Sequence, residues 1–142
     1  MSDKTQLHLA ELMGSKICHD LVNSVGSLSN GIELLSEMKG TVDKEVLDLI
    51  TRSANLTLVR LKFFRLAFGL LATNTNTNWE QCYHTIESYG LEYSTTLSWQ
   101  SHKYSGNLSD VEAKLLLNLF HIAITCLHRG GKMSIEISPK GL

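Results

Sequence analysis

Apolar residues recur along the first third of the chain at Ile17, Leu21, Val25, Leu28, Ile32 and Leu35, in steps of three and four. That is the helical period. At ~100° per residue the six fall within an arc of roughly 80°, the narrow seam of a coiled coil or helical bundle. Leu9 and Met13 carry the seam towards the N-terminus. Met38-Lys39-Gly40-Thr41 predicts its end, with a cation in the last turn and a glycine for a left-handed cap. Thr41 is the expected cap of a second helix, in which Val46, Ile50, Ala54, Leu58, Leu61, Phe64, Phe68 and Leu71 again step by three and four. Two such helices joined by a short turn make an antiparallel hairpin. One hairpin leaves half of its apolar surface uncovered, so the pattern predicts a homodimer closing a four-helix bundle.

Thr73–Asn78 alternates Thr and Asn, a polar repeat read as a linker. Beyond it, Trp79, Cys82, Tyr83, Ile86 and Tyr89 keep helical spacing, whereas Leu91, Tyr93, Thr95, Leu97 and Trp99 alternate as in a half-buried strand. Gly106-Asn107 reads as a turn. Ser109-x-x-Glu112 is a capping box opening a helix through Leu115, Leu116, Leu119, Ile122, Ala123 and Cys126, which Gly130-Gly131 ends. Met133, Ile135 and Ile137 predict a last strand. The expected fold is α+β and mostly α. Its domains are a dimerising hairpin over 1–72, a linker over 73–78 and a small α/β unit over 79–142.

Composition narrows the function. Thirteen Lys and Arg against 14 Asp and Glu give a net charge of −1, with no basic field for nucleic acid. The N-terminus is polar and mixed in charge, unlike a signal peptide. The most apolar window, Leu115 to Leu127, contains Asn118 and His121 and is too short to span a bilayer. Three cysteines, without a leader, read as reduced thiols in a cytoplasmic protein. Cys18-His19, Cys82-x-His84 and Cys126-x-His128 pair thiols with imidazoles, but zinc spacing is absent and no metal is expected. Cys82 and Cys126 fit apolar helix faces as small core residues.

His19 stands out by position. It falls near 200° when the seam averages roughly 30°, almost opposite the expected core. Leu12, Ser15, Val22, Asn23 and Gly26 share this outer face, and Lys16 lies one turn before the histidine. Gly14, Gly26 and Gly31 each cost about 1 kcal/mol against alanine in a helix. Beside an exposed histidine they leave room for a partner to approach.

Leu12-Met13-Gly14-Ser15-Lys16-Ile17-Cys18-His19-Asp20-Leu21-Val22-Asn23-Ser24-Val25-Gly26, followed by Asn30-Gly31-Ile32-Glu33-Leu34-Leu35, resembles the histidine phosphotransferases related to histidine kinases, best known from alphaproteobacterial cell-cycle phosphorelays. Leu61-Lys62-Phe63-Phe64-Arg65-Leu66-Ala67-Phe68-Gly69 is similar to a second segment of that family. Ser24 stands where the family has proline, which implies a straighter first helix near the site. The family's C-terminal domain runs on for more strands, which implies a fragment or a short form.

The resemblance implies a homodimer that takes a phosphoryl group on His19 from the receiver domain of a hybrid histidine kinase and passes it to the receiver of a response regulator. The chain itself would bind no cofactor, the receiver bringing Mg²⁺. Asp20 would act as a base or orient the ring, and Asn23 would position a water for phosphatase action. Leu12, Ser15, Lys16, Val22 and Gly26 would meet the receiver, as would Arg52, Arg60, Lys62 and Arg65. Adjacent helical side chains do not normally face each other, which ranks Asp20 below His19. Lys114-x-x-x-Asn118-Leu119-x-x-Ile122-Ala123 resembles a kinase nucleotide-binding helix in which isoleucine replaces a metal-binding asparagine. Isoleucine offers Mg²⁺ no oxygen, so neither ATP binding nor autokinase activity is expected. The alternative is a dimeric scaffold that docks receivers, or a receiver phosphatase, without a phosphohistidine.

Overall fold

In a computed structural model that describes residues 3–69, 77–99, 107–127 and 129–136, the chain is mostly helical with two small sheets, the expected α+β class. Helix α1 (Asp3–Glu37) and helix α2 (Lys44–Phe68) come first. After them come β1 (Thr77–Asn78), α3 (Trp79–Glu92), β2 (Thr95–Trp99), β3 (Asn107–Leu108), α4 (Asp110–Cys126) and β4 (Gly131–Ile135). Two compact units result, Met1–Leu61 and Lys62–Leu142, so the last turns of α2 belong to the second.

In the first unit, Gly40 takes φ +118°, a left-handed value that suits glycine after a helix. The cap of α2 is Asp43 rather than Thr41: its carboxylate accepts the Glu45 N–H at 2.9 Å, and α2 begins at Lys44. The hairpin seam is also rotated from the expected one. Asp20, Ser24 and Gly31 are buried, with Ile17, Leu21, Leu28 and Leu35 half-buried around them, while Val25 and Ile32 are 48% and 52% exposed. The reason is close approach. A Cβ on Gly31 would sit 2.7 Å from Ile50 Cγ1, so that glycine serves the packing of α1 on α2 and not an outside partner. Ser24 keeps its hydroxyl satisfied by donating to the Leu21 and Asp20 carbonyls at 3.1 and 3.4 Å. The close approach shown is at Gly31 against Ile50, and the apolar residues Val25, Ile32, Leu58 and Leu61 are left exposed.

The second unit is built on aromatic packing. Phe63, Cys82, Ile86, Tyr89, Leu117 and Ile124 are almost wholly buried. The Phe63 ring lies parallel to Tyr89, centroids 4.0 Å apart. Gly90 sits inside α3 because a Cβ there would meet Leu97 Cδ1 at 3.1 Å. Helix α3 continues through Leu91 and Glu92, and the strand expected from Leu91 starts only at Thr95, after Ser94 turns the chain at φ +52°. Strand β2 pairs in parallel with β4, Thr95 opposite Gly131 and Trp99 opposite Ile135. A parallel pair needs a crossover, and α4 lies within it. The short strands β1 and β3 pair antiparallel. Thr77–Asn78 of the polar repeat and Asn107 of the expected turn thus form strands; residues 73–76, Gly106 and Ile137 lie outside the described residues.

Helix α4 opens with the expected capping box, Ser109 and Glu112 bonding each other's backbone N–H. Ala113, Leu116, Leu117, Phe120 and Ile124 face the core. Leu115, Leu119 and Ile122 are exposed instead, and so is Cys126, which corrects its reading as a core residue. Apolar residues occupy both sides of this helix, so their pattern alone does not say which side is buried. No helix among the described residues is long and apolar enough to cross a membrane.

Candidate functional site

Helix α1 is unbroken through Asp3–Glu37, and His19 projects from it with 71% of its side chain exposed. The outward direction follows from the helical period. Positions near 200° stand away from a seam centred close to Ile17. Leu12, Ser15, Val22, Asn23 and Gly26 lie on the same side and are all exposed. A Cβ on Gly26 would meet nothing within 4 Å, so within the chain this glycine makes no close contact.

Asp20 departs from expectation. It lies at the edge of the α1–α2 seam with only 8% of its side chain exposed, yet its Oδ1 is 3.3 Å from His19 Nδ1. Consecutive helical side chains diverge by ~100°, and here the imidazole is wide enough to span that gap. Lys16, one turn earlier, donates from Nζ to the same Oδ1 at 2.8 Å. Arg60 of α2 donates from its guanidinium to the Asp20 main-chain carbonyl. One carboxylate oxygen thus takes two side-chain contacts, and Oδ2 is buried without a hydrogen-bond partner. Buried acceptors are rarely left so.

The electrostatics decide the protonation state of Asp20. Burial pushes the Asp20 carboxyl up, but the hydrogen bonds from Lys16 and His19, with the charges of Lys16 and Arg60, outweigh it and hold the group below its ordinary value. An ionised carboxylate can only accept. The contact with His19 therefore places the ring proton on Nδ1 and leaves the lone pair on Nε2. The arrangement provides an exposed, oriented imidazole nitrogen with two cations close by.

The structure thus brings Lys16, His19, Asp20 and Arg60 together. Leu12, Ser15, Val22, Asn23 and Gly26 share the helix face with His19 without a side-chain hydrogen bond to it. Arg60 was legible only as one of several surface cations, because no local pattern links positions 20 and 60. In the second unit, Asn118 of the kinase-like segment donates to the Lys114 and Ala67 carbonyls at 2.8 and 3.3 Å, and Ile122 is 61% exposed. Cys82 is buried, and burial pushes its thiol up to about 11. Among the described residues no three His, Cys, Asp or Glu side chains gather as a metal site.

No protein-family model matches the chain. The protein phosphotransferase ChpT of Brucella abortus (strain 2308) is 31% identical over 132 residues, which are 92% of this chain and 61% of that protein. A solved structure of a bacterial phosphotransferase superposes with a TM-score of 0.78 at 30% identity, over 97% of this chain and 63% of the other. The chain spans about three-fifths of the length of each. In sequence and in fold alike the chain is similar to ChpT and to that bacterial phosphotransferase over nearly all of its own length.

Proposed function

We propose that the chain is a histidine phosphotransferase that relays a phosphoryl group between receiver-domain aspartates through His19. The observation that carries this reading is the pairing of an exposed imidazole with a buried, ionised Asp20 at Nδ1, which leaves Nε2 as the nucleophile. In the forward step the Nε2 lone pair attacks phosphorus, the P–O bond to the donor aspartate breaks, and its electron pair returns to that carboxylate. The proton stays on Nδ1 against Asp20. The second step reverses the bonding, as an acceptor carboxylate oxygen attacks and the N–P bond breaks. Such transfers need positioning and charge neutralisation more than covalent machinery. Lys16 supplies a cation beside the ring, and the receiver domain supplies Mg²⁺.

The partners follow from the surface. Leu12, Ser15, Lys16, Val22 and Gly26 form the small, partly apolar rim on which a receiver docks around His19. Val25, Ile32, Leu58 and Leu61, exposed on the two hairpin helices, are the face on which a second copy of the chain closes a four-helix bundle. Asn23, one turn beyond His19, is the residue for positioning water on a docked receiver.

The test is phosphotransfer from receiver domains charged with acetyl phosphate, comparing wild type with His19→Gln. Acid-labile, alkali-stable phosphate mapped to His19, and absent from the mutant, is the expected result. No phosphate on a folded wild-type chain across a panel of receivers refutes the relay. Loss of receiver phosphate without label on His19 moves the chemistry to Asn23. Light scattering tests the dimer, which a monomer at micromolar concentration would refute.

A further inference from the structure

Arg60 reaches across the hairpin to the Asp20 carbonyl, a group that also accepts from the Ser24 hydroxyl at 3.4 Å. Lys16 holds the Asp20 carboxylate on the other side at 2.8 Å. The charged and titratable groups facing Asp20 are therefore Lys16 and His19 from α1 and Arg60 from α2. Oδ1 takes both side-chain contacts although Oδ2 has no partner. A carboxylate with a spare buried oxygen would gain by rotating to share its contacts, so something must fix its orientation. The ion pair from Lys16 holds the carboxylate directly, and Arg60, anchored on the Asp20 main chain from α2, adds a charge that favours its ionised form.

We propose that Arg60 is a positioning residue for phosphotransfer. Reaching from α2 to the Asp20 carbonyl while Lys16 holds the carboxylate, it sets Asp20 against His19 Nδ1 and thereby fixes Nε2 as the attacking nitrogen. The role rests on the reading of His19 as the phosphoryl acceptor. It differs from receiver docking, because Arg60 acts inside the hairpin with no partner present. A bare structural contact would change stability without changing which ring nitrogen carries the proton.

The test uses the full chain, uniformly ¹⁵N-labelled, with long-range ¹H–¹⁵N spectra of the His19 ring in wild type, Arg60→Met, Arg60→Lys and Lys16→Met. Wild type is expected to hold the Nδ1–H tautomer. In Arg60→Met the population shifts towards Nε2–H, phosphotransfer falls about tenfold, the effect of one charged hydrogen bond, and the acid limb of its pH profile moves up. Arg60→Lys keeps a cation and a donor and restores most of each. Lys16→Met, at a half-exposed position, shifts the tautomer in the same direction, and Arg60→Gln, which also removes the charge, serves if Arg60→Met does not fold. An unchanged tautomer and acid limb in a folded Arg60→Met chain overturns the proposal. A wild-type chain that takes no phosphate refutes the relay itself, and the role of Arg60 in phosphotransfer falls with it, whatever the tautomer does.

Discussion

Two glycines on α1, five positions apart, offer a direct check on the hairpin geometry. Gly26 is exposed, and a Cβ there would meet nothing within 4 Å; at Gly31 it would lie 2.7 Å from Ile50 Cγ1. Alanine at either position gains about 1 kcal/mol of helix propensity. Gly26→Ala is therefore expected to stabilise the chain by about that amount. At Gly31 the same gain is opposed by overpacking: carbon atoms rest comfortably at about 3.5–4.0 Å, so Ile50 or the α2 backbone must give way. Overpacking of this size typically costs about 1–3 kcal/mol. The propensity term cancels between the two variants, and their difference isolates the clash. Urea and thermal unfolding followed by far-UV circular dichroism, at matched protein concentration, should place Gly31→Ala about 1–3 kcal/mol below Gly26→Ala. At this chain length that is a gap of roughly 3–10 °C in Tm. Adding Ile50→Ala should remove most of the Gly31→Ala penalty, as a positive coupling in the double-mutant cycle. Equal stabilities, within about 0.5 kcal/mol, would refute the close approach of α1 and α2.

Three further outcomes follow from the same structure. Asp20 titrates below its ordinary value, so its contribution to stability is present above the unfolded carboxylate pKa and is lost as pH falls through the lower native one; Lys16→Met should move that loss to higher pH, read from the Asp20 ¹³Cγ shift. Glu112 is lowered by its hydrogen bonds to Ser109, with the same sign; Ser109→Ala should cost about 1 kcal/mol through the lost cap and flatten the acid dependence of unfolding. Cys18 and Cys126 are exposed whereas Cys82 is buried with its thiol pushed up to about 11, so mass spectrometry after brief iodoacetamide treatment should find the first two alkylated and Cys82 protected.

The helices of the hairpin and the outward direction of His19 were legible in the sequence because both depend on a helical period sustained over many residues. The seam was misplaced by part of a turn, since the buried contacts use Asp20, Ser24 and Gly31, which an apolar count passes over. Strands β1 and β3, two residues each, carry no periodicity to read. The alternation from Leu91 to Trp99 overruns the strand because Leu91 and Glu92 belong to α3 and Ser94 turns the chain before Thr95. At the site, Asp20 was legible as a neighbour of His19 but not as its hydrogen-bond partner. That contact depends on the side-chain conformation and on a cation forty positions away, neither of which spacing encodes.

The parallel pairing of β2 with β4 has a consequence for how the chain acquires its fold. The hairpin brings α1 and α2 together across a turn of a few residues, a local closure that needs little chain entropy. Thr95 can meet Gly131 only after β3 and α4 have been laid down between them. The second unit therefore closes the longer loop and is expected to form more slowly, with Phe120, packed against Tyr89 and Gly90 of α3, as an early contact. Substitutions at Phe120 should lower the refolding rate, whereas those in the β4 backbone should mainly raise the unfolding rate. During synthesis the helix bearing His19 is formed while β4 has yet to emerge.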